Sequence, residues 1–299
     1  MIIEFNDPMK YPIGIQNFEE IRRNGYVYVD KTRWMWKMID EGKYYFLSRP
    51  RRFGKSLMVS TLEAFFSGQR ELFEGLYADT VEWDWQQYPI LHVDLNPEKY
   101  DTAEALIIVL ERTLGEWEHT YEPRVIEKTI AGRFDRIIRT AFEKTGRQVV
   151  ILVDEYDKPL LQAIGNESLQ KEYRNTLKAF YGALKSCDRY IKFAFLTGVT
   201  KFGKVSVFSD LNNLKDISML PKYTNICGIS EQELHDIFDD SVTALASSNE
   251  ITKEECYERL RLDFDGYHFN EYTKEGIYNP FSLLNTFDSG VFRDYWFET

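Results

Sequence analysis

The stretch KYYFLSRPRRFGKSLMVSTLEAFFSG, residues 43–68, decides the fold class because it contains a strand, a loop and a helix in direct succession. Residues 43–48 are mostly apolar and predict a strand. After the basic loop, apolar residues recur at helical spacing as far as Phe66, and Gly68 predicts the end of that helix. A loop between a strand and a helix can direct backbone N–H groups at an anion, so this setting predicts a phosphate site.

The loop ends like a phosphate-binding loop but does not begin like one. Gly54, Lys55 and Ser56 supply the glycine, the lysine for the outer phosphates and the hydroxyl for Mg²⁺. The usual first glycine is replaced by Arg49, and Pro50 stiffens the entry instead. The predicted nucleotide-binding residues are Arg51, Arg52, Phe53, Gly54, Lys55, Ser56 and Leu57. The alternative is a solvated basic turn.

The guanidinium groups of Arg51 and Arg52 leave two interpretations open. They can bind phosphate in bidentate fashion, either on the nucleotide or across an interface with a neighbouring subunit, which leaves an oligomer open. Equally, they can pair with the plentiful carboxylates of this chain.

A second chemical signal is the segment VVILVDEYD, residues 149–157, an apolar run that ends in two acids. A strand-end aspartate, here Asp154, can hold Mg²⁺, and the adjacent Glu155 can act as general base on the attacking water. The alternative is an acidic turn in which Asp157 caps the following helix. Two carboxylates at the end of a buried strand would repel each other without a cation, which favours the metal interpretation.

The segment FAFLTGVTK, residues 193–201, places polar groups at the end of another apolar strand. Thr197 is the candidate for sensing the γ-phosphate, with Thr200 behind it, and Lys55 and Glu155 complete the predicted catalytic set. The alternative, a threonine that caps a turn, has equal weight.

Strands separated by helices predict a parallel sheet with helices on both faces. The strand at 88–95 lies in the chain between the loop strand and the acidic strand, as in the additional-strand class of P-loop ATPases. We therefore predict a three-layer α/β/α domain over residues 1–225. Residues 226–299 predict a mostly helical, lid-like subdomain that opens with a capping box at Ser230 and Glu233.

Composition excludes several classes of protein. The 299 residues carry a net charge of −11, which argues against strong nucleic-acid binding by this chain. The three cysteines and four histidines are scattered, so a metal site built from them is not expected. The N-terminus lacks the pattern of a signal peptide, and the apolar runs are too short to span a bilayer. We expect a soluble, cytoplasmic protein.

Seven segments of the chain together resemble the AAA-ATPase-like family of bacterial and archaeal P-loop proteins. They are PIGIQNFEEIRRNGYVYVDKT, KYYFLSRPRRFGKSL, ILVDEYDKPLL, FAFLTGVTKF, LNNLKDIS, DGYHF and YNPFSLLN. The arginine-rich loop without its first glycine is a trait of that family. The resemblance implies that Lys55 and Ser56 form the Walker A pair and that Asp154 and Glu155 form the Walker B pair.

The resemblance also implies a longer architecture. Family members usually continue past a segment like YWFET into a domain similar to PD-(D/E)XK nucleases, and this sequence stops there, so we expect that something follows. No nuclease motif can be placed in 226–299. The prediction is an ATP-binding and Mg²⁺-dependent hydrolytic domain that acts as a switch. The alternatives are a nucleotide-binding module without turnover, and the ATPase part of a nuclease-linked system.

Overall fold

The computed structural model describes residues 9–295 except 125–126, 202–203, 210, 212, 271, 273–275 and 294. Its centre is a five-stranded sheet in which every pairing is parallel. The strands are β1 (Tyr44–Ser48), β2 (Ile90–Asp94), β3 (Val149–Asp154), β4 (Ile191–Gly198) and β5 (Lys215–Asp216). The spatial order is β2-β3-β4-β1-β5, so β4 separates the loop strand from the acidic strand. The α/β class is confirmed.

In the described part of the chain, eight α-helices accompany this sheet. They are α1 (Phe18–Arg23), α2 (Thr32–Glu41), α3 (Lys55–Phe66), α4 (Ala103–Tyr121), α5 (Ile130–Thr145), α6 (Lys158–Gln162), α7 (Glu167–Ser186) and α8 (Lys204–Val207). Alternate residues of a strand point to opposite faces of a sheet. Accordingly, Ile151 and Val153 pack with the apolar faces of α4, α5 and α7, whereas Val150 and Leu152 pack with α2 and α3. This two-sided burial explains why β3 is apolar throughout.

The chain after residue 226 adds a smaller unit. A two-stranded antiparallel ladder joins β6 (Ile229–Ser230) to β7 (Ile277–Tyr278), and three helices follow the pattern predicted for this part: α9 (Glu231–Ser248), α10 (Lys253–Phe264) and α11 (Pro280–Ser289). The capping box is complete: the Ser230 side chain accepts from the Glu233 N–H, and the Glu233 side chain accepts from the Ser230 N–H. Tyr11 and Val29, from the N-terminal part, pack against the core of these helices. The boundary at 225/226 remains a prediction.

Two local predictions need correction. The segment YVYVDKTRWMWKMI predicts a short strand that turns into a helix; the helix is present as α2 from Thr32, but the strand is reduced to one isolated bridge between Lys10 and Tyr26. The long helix α5 was not predicted, although Thr129 caps it and an apolar stripe through Phe134 and Ile138 defines its buried face. Among the described residues, no helix is both long enough and apolar enough to cross a membrane.

The register of the sheet brings the predicted site residues to one edge. Ser48 is paired with Gly198, and Asp94 with Asp154, so β1 to β4 all end together. Ligands of open parallel sheets bind outside the carboxyl ends of the strands. The basic loop, both acids and the threonine that follow these strands therefore share one region.

Candidate functional site

The basic loop turns sharply into α3. Gly54 lies just before the helix with φ 89°, a left-handed conformation that glycine adopts without cost from a Cβ atom. Arg52 also has a positive φ of 65°, and so does Glu155, at 55°, on the other side of the site. Such conformations cost non-glycine residues about 1–3 kcal/mol and often occur at functional sites. The backbone is therefore strained on both sides of one region.

The ammonium group of Lys55 connects the loop to the acidic strand. It is almost fully buried and donates to the carbonyl oxygens of Arg49, at 3.0 Å, and Pro50, at 3.1 Å. It also forms an ion pair with Glu155 Oε1 at 3.0 Å. To bind an anion in this region, the Lys55 ammonium would have to exchange these hydrogen-bond partners for oxygens of the anion.

Ser56 and Thr197 both donate to the buried carboxylate of Asp154. The Ser56 hydroxyl reaches Oδ2 at 2.5 Å, and the Thr197 hydroxyl reaches Oδ1 at 2.5 Å. The Thr197 hydroxyl also accepts a bond from the Glu155 N–H at 3.2 Å. One hydrogen-bonded chain thus joins the helix start of the loop to the ends of β3 and β4.

Glu155 has the electrostatic character expected of a proton acceptor. Burial raises its pKa above the usual value, although the neighbouring Lys55 ammonium acts in the opposite direction. A raised pKa brings a carboxylate closer to the range in which it exchanges protons efficiently at neutral pH.

Asp157 has a structural role, but not the one expected. Its carboxylate accepts bonds from the N–H groups of Val199, at 3.1 Å, and Thr200, at 2.8 Å, and from the Thr200 hydroxyl. Its side chain makes no cap bond to α6, the helix that it precedes. Asp157 therefore ties the loop after β3 to the loop after β4.

A cleft of about 610 Å³ opens over these groups. Arg51, Arg52, Lys55, Ser56 and Glu155 line it together with Gly54 and Leu57 of the loop. The opposite walls come from residues 12–16 of the N-terminal segment and from the start of α11. A cleft of this size is in the range of ligand pockets. The sequence predicted a lid-like part after residue 226 but did not identify the residues of either wall, because neither carries a chemical motif.

Arg49 points away from this cleft. The residue is 1% exposed, and its guanidinium donates to the carbonyl oxygens of Ser218, at 2.6 Å, and Tyr223, at 3.2 Å. It also lies 3.9 Å from the ring centre of Phe269. Burial lowers its pKa to about 10, so it remains charged at neutral pH. Arg49 thus anchors the loop to the chain before β6 and to the aromatic segment after α10.

Phe53 anchors the loop in the same direction. Its ring is fully buried in a cluster with Tyr267, Phe269 and Ile277, and its carbonyl accepts from Gly228 N at 3.1 Å. Arg52 lies 4.0 Å from the ring of Phe281 in α11. Arg51 is exposed at the cleft. The side chain of Phe53 is therefore separated from the other predicted nucleotide-binding residues, and Thr197 lies behind Asp154, fully buried.

The donor set fits a magnesium ion. Ser56 and Asp154 bring one hydroxyl oxygen and one carboxylate into contact, which are ligands that Mg²⁺ accepts. In the described part of the chain, no group of three or more His, Cys, Asp or Glu residues could hold a metal ion by itself. Mg²⁺ usually takes only one or two protein ligands beside phosphate oxygens and water, so a nucleotide would complete the shell.

The parallel sheet, the glycine at the helix start and the lysine–acid contact define an α/β protein with the features of a P-loop nucleotide site. Comparison with known proteins agrees. A family profile described as "Predicted AAA-ATPase" matches residues 12–208, and the chain belongs to this AAA-ATPase-like family. The match includes the N-terminal wall of the cleft, the loop and both acids.

A longer relative is similar over almost the whole chain. It is an "Uncharacterized protein in vnfD 5'region" from Azotobacter chroococcum mcd 1, and it is 39% identical over 292 residues. The alignment covers 97% of this chain and 54% of the relative. The chain therefore spans about half the length of the curated relative that it matches.

Proposed function

We propose that this chain binds ATP and hydrolyses it with Mg²⁺ in the cleft above β1, β3 and β4. The observation that carries the proposal is the contact chain from Ser56 through Asp154 to Thr197, with the Lys55–Glu155 pair beside it. These contacts bring the groups needed for phosphate binding, metal binding and water activation to one edge of the sheet. Family membership supports the same function.

Each residue has a distinct role in this proposal. Lys55 binds the outer phosphates, and Ser56 and Asp154 hold Mg²⁺, which neutralises charge on the transferring phosphoryl group. Glu155 accepts a proton from the attacking water. Thr197 holds Asp154 in place and can sense the γ-phosphate through it, while Arg51 and Arg52 contribute positive charge at the cleft. Phe53 can contribute to nucleotide binding only through its backbone, because its side chain is buried away from the cleft.

The strand order supports membership of the additional-strand class, since β4 lies between β1 and β3. We further propose that residues 226–299 form a separate subdomain that acts as a lid. The start of α11 contributes Pro280, Phe281 and Leu284 to the cleft, so a nucleotide would contact this part directly. Residues after 226 also contact Arg49 and Phe53, on the side of the loop that faces away from the cleft.

Together these contacts support a switch in which the nucleotide state changes the position of the helices after residue 226. The part of the longer relative that this chain does not match leaves room for a partner domain that such a switch would control. A nuclease-like partner is the version of this proposal that the family resemblance favours.

Magnesium-dependent binding tests the proposal. Wild-type protein should bind a non-hydrolysable ATP analogue more tightly with Mg²⁺ than without it, as measured by isothermal titration. Asp154→Ala should lose most of this difference because it lacks the carboxylate of the metal site. Asp263→Ala, an exposed position on α10, is the matched control and should behave as wild type. Binding that ignores Mg²⁺ in the wild type would contradict the assigned metal site.

A further inference from the structure

Lys158 is a cation in the cleft wall that the roles above do not use. It is the first residue of α6, and its side chain lines the same cleft as Lys55 and Glu155. Its ammonium group donates to the carbonyl oxygen of Asn96 and, at 3.1 Å, to the side-chain Oδ1 of Asn96. Both acceptors are neutral. Within the described residues, no carboxylate forms an ion pair with Lys158, so its charge is not compensated.

The backbone that carries Lys158 is held firmly. Its N–H donates to the carbonyl oxygen of Glu155 at 3.1 Å, and Tyr156 N donates to Thr197 O at 2.9 Å. The three bonds that Asp157 accepts from residues 199–200 fix the same turn to the end of β4. A side chain on such a turn starts from a defined position, which is a requirement for recognising a ligand at low entropic cost.

Asn96 sets the position of the ammonium group along the sheet edge. It follows β2, and the preceding residue, Leu95, donates its N–H to Asp154 O at 3.2 Å. The Lys158 ammonium is therefore held just beyond the end of β2, the strand that pairs with the acidic strand β3. The Gly54 end of the loop lies at the start of α3, and Ser56 meets Asp154 at the strand ends. Because Lys55, Glu155 and Lys158 line one cleft, a terminal phosphate that Lys55 binds would lie in the same cleft as the Lys158 ammonium.

We propose that Lys158 is a second phosphate-binding cation, which contacts the terminal phosphate of a nucleoside triphosphate. This inference rests on the proposed nucleotide site. On binding, the ammonium exchanges the neutral oxygens of Asn96 for anionic phosphate oxygens, and it gains the Coulomb attraction of an opposite charge at contact distance. In the transition state, negative charge is spread over the oxygens of the transferring group, so the same contact favours hydrolysis.

The inference predicts discrimination between nucleotides. A diphosphate lacks the group that Lys158 would contact, so removing the ammonium should weaken triphosphate binding selectively. A hydrogen bond between charged groups corresponds to about a 10- to 100-fold change in affinity. A merely electrostatic effect of one lost positive charge would act on both nucleotides and would diminish with salt.

The experiment compares wild type, Lys158→Ala, Lys158→Arg and the control Lys171→Ala, an exposed lysine on α7. Isothermal titration in Mg²⁺ measures the affinity for a non-hydrolysable ATP analogue and for ADP. For Lys158→Ala we expect a loss of about 10- to 100-fold for the triphosphate analogue and less than about twofold for ADP. Lys158→Arg should retain most of the triphosphate affinity, and Lys171→Ala should match wild type. Thermal unfolding midpoints within the experimental error of wild type exclude misfolding as the cause.

Different results overturn different claims. If the triphosphate and ADP affinities of Lys158→Ala both equal those of wild type, or fall by the same factor, the assignment of Lys158 is wrong while the nucleotide site stands. If wild type itself binds neither nucleotide, the proposed function fails, and this inference fails with it.

Discussion

Arg49 and Lys55 lie in one short basic loop, yet their charged groups have opposite surroundings. The Arg49 guanidinium is enclosed by backbone carbonyl oxygens and an aromatic ring from the chain beyond residue 217. The Lys55 ammonium lies at the cleft, paired with a carboxylate. A run of basic residues thus contains two kinds of position: anchors, Arg49 and Phe53, that hold the loop from behind, and cleft residues, Lys55 and Ser56, that face the acids.

The comparison shows what holds the backbone of a loop that lacks the usual first glycine. In a glycine-rich loop, the backbone shape comes from residues that adopt positive φ without strain. Here, Arg52 adopts a positive φ despite its side chain, and buried contacts on both sides of it constrain the backbone. Tertiary contacts with the chain after residue 217 offset this strain, so the shape of the loop depends on that part of the chain.

The largest expected effect is on an anchor. Phe53→Ala should lower the free energy of unfolding by about 3–5 kcal/mol, because it empties a fully buried ring site among Tyr267, Phe269 and Ile277. Chemical denaturation measures this change. The control is Arg51→Ala in the same loop, an exposed position where a change within about 0.5 kcal/mol is expected. Equal stability of the two variants would remove the distinction between anchors and exposed loop residues.

The next effect is on a cleft residue. Lys55→Ala should weaken binding of an ATP analogue by on the order of 100-fold, because it removes the ammonium group that contacts both the loop carbonyls and Glu155. Isothermal titration measures the affinity, and Lys171→Ala on α7 is the matched control. Affinity close to that of wild type in Lys55→Ala would show that the loop does not bind phosphate.

A smaller effect concerns pH. The base must be ionised to accept a proton, and burial raises the pKa of Glu155 above the ordinary 4.5. The rate should therefore fall as pH decreases through that raised pKa, so the acid limb of the kcat/KM profile should lie above pH 4.5. Steady-state phosphate release across pH tests this, with circular dichroism at each pH as the check on folding. A rate that stays constant down to pH 4.5 would contradict the assignment of Glu155 as base.

The cleft residues could be predicted from the sequence because their signals are local. A strand, Gly-Lys-Ser and a helix predict the position of Lys55 and Ser56, and an apolar strand that ends in Asp154 and Glu155 predicts the second half of the site. In the structure the Ser56 hydroxyl donates to Asp154, and the role of this pair in metal binding stays a prediction. Helix α5 could also have been found, because its apolar stripe has regular helical spacing.

The anchors could not be predicted in the same way. The partners of Arg49 are carbonyl oxygens of Ser218 and Tyr223, which lie 169 and 174 positions later in the chain, and backbone carbonyls leave no mark in a sequence. In the sequence, every arginine of a basic loop is an equally good candidate for phosphate binding, so Arg49 could not be distinguished from Arg51 and Arg52. The N-terminal wall of the cleft could not be predicted for a related reason. Residues 12–16 are mostly apolar or glycine and carry no chemical motif.

The central claim, hydrolysis by the acid pair at the strand ends, is tested most directly by Glu155→Gln. Glutamine has nearly the shape of glutamate but cannot accept the proton, whereas binding depends mainly on Lys55, Ser56 and Asp154. ATP affinity and steady-state phosphate release should be measured together for wild type and the variant. We expect affinity close to wild type and a loss of about 10²–10⁴-fold in turnover. Hydrolysis by Glu155→Gln at the wild-type rate would contradict the claim.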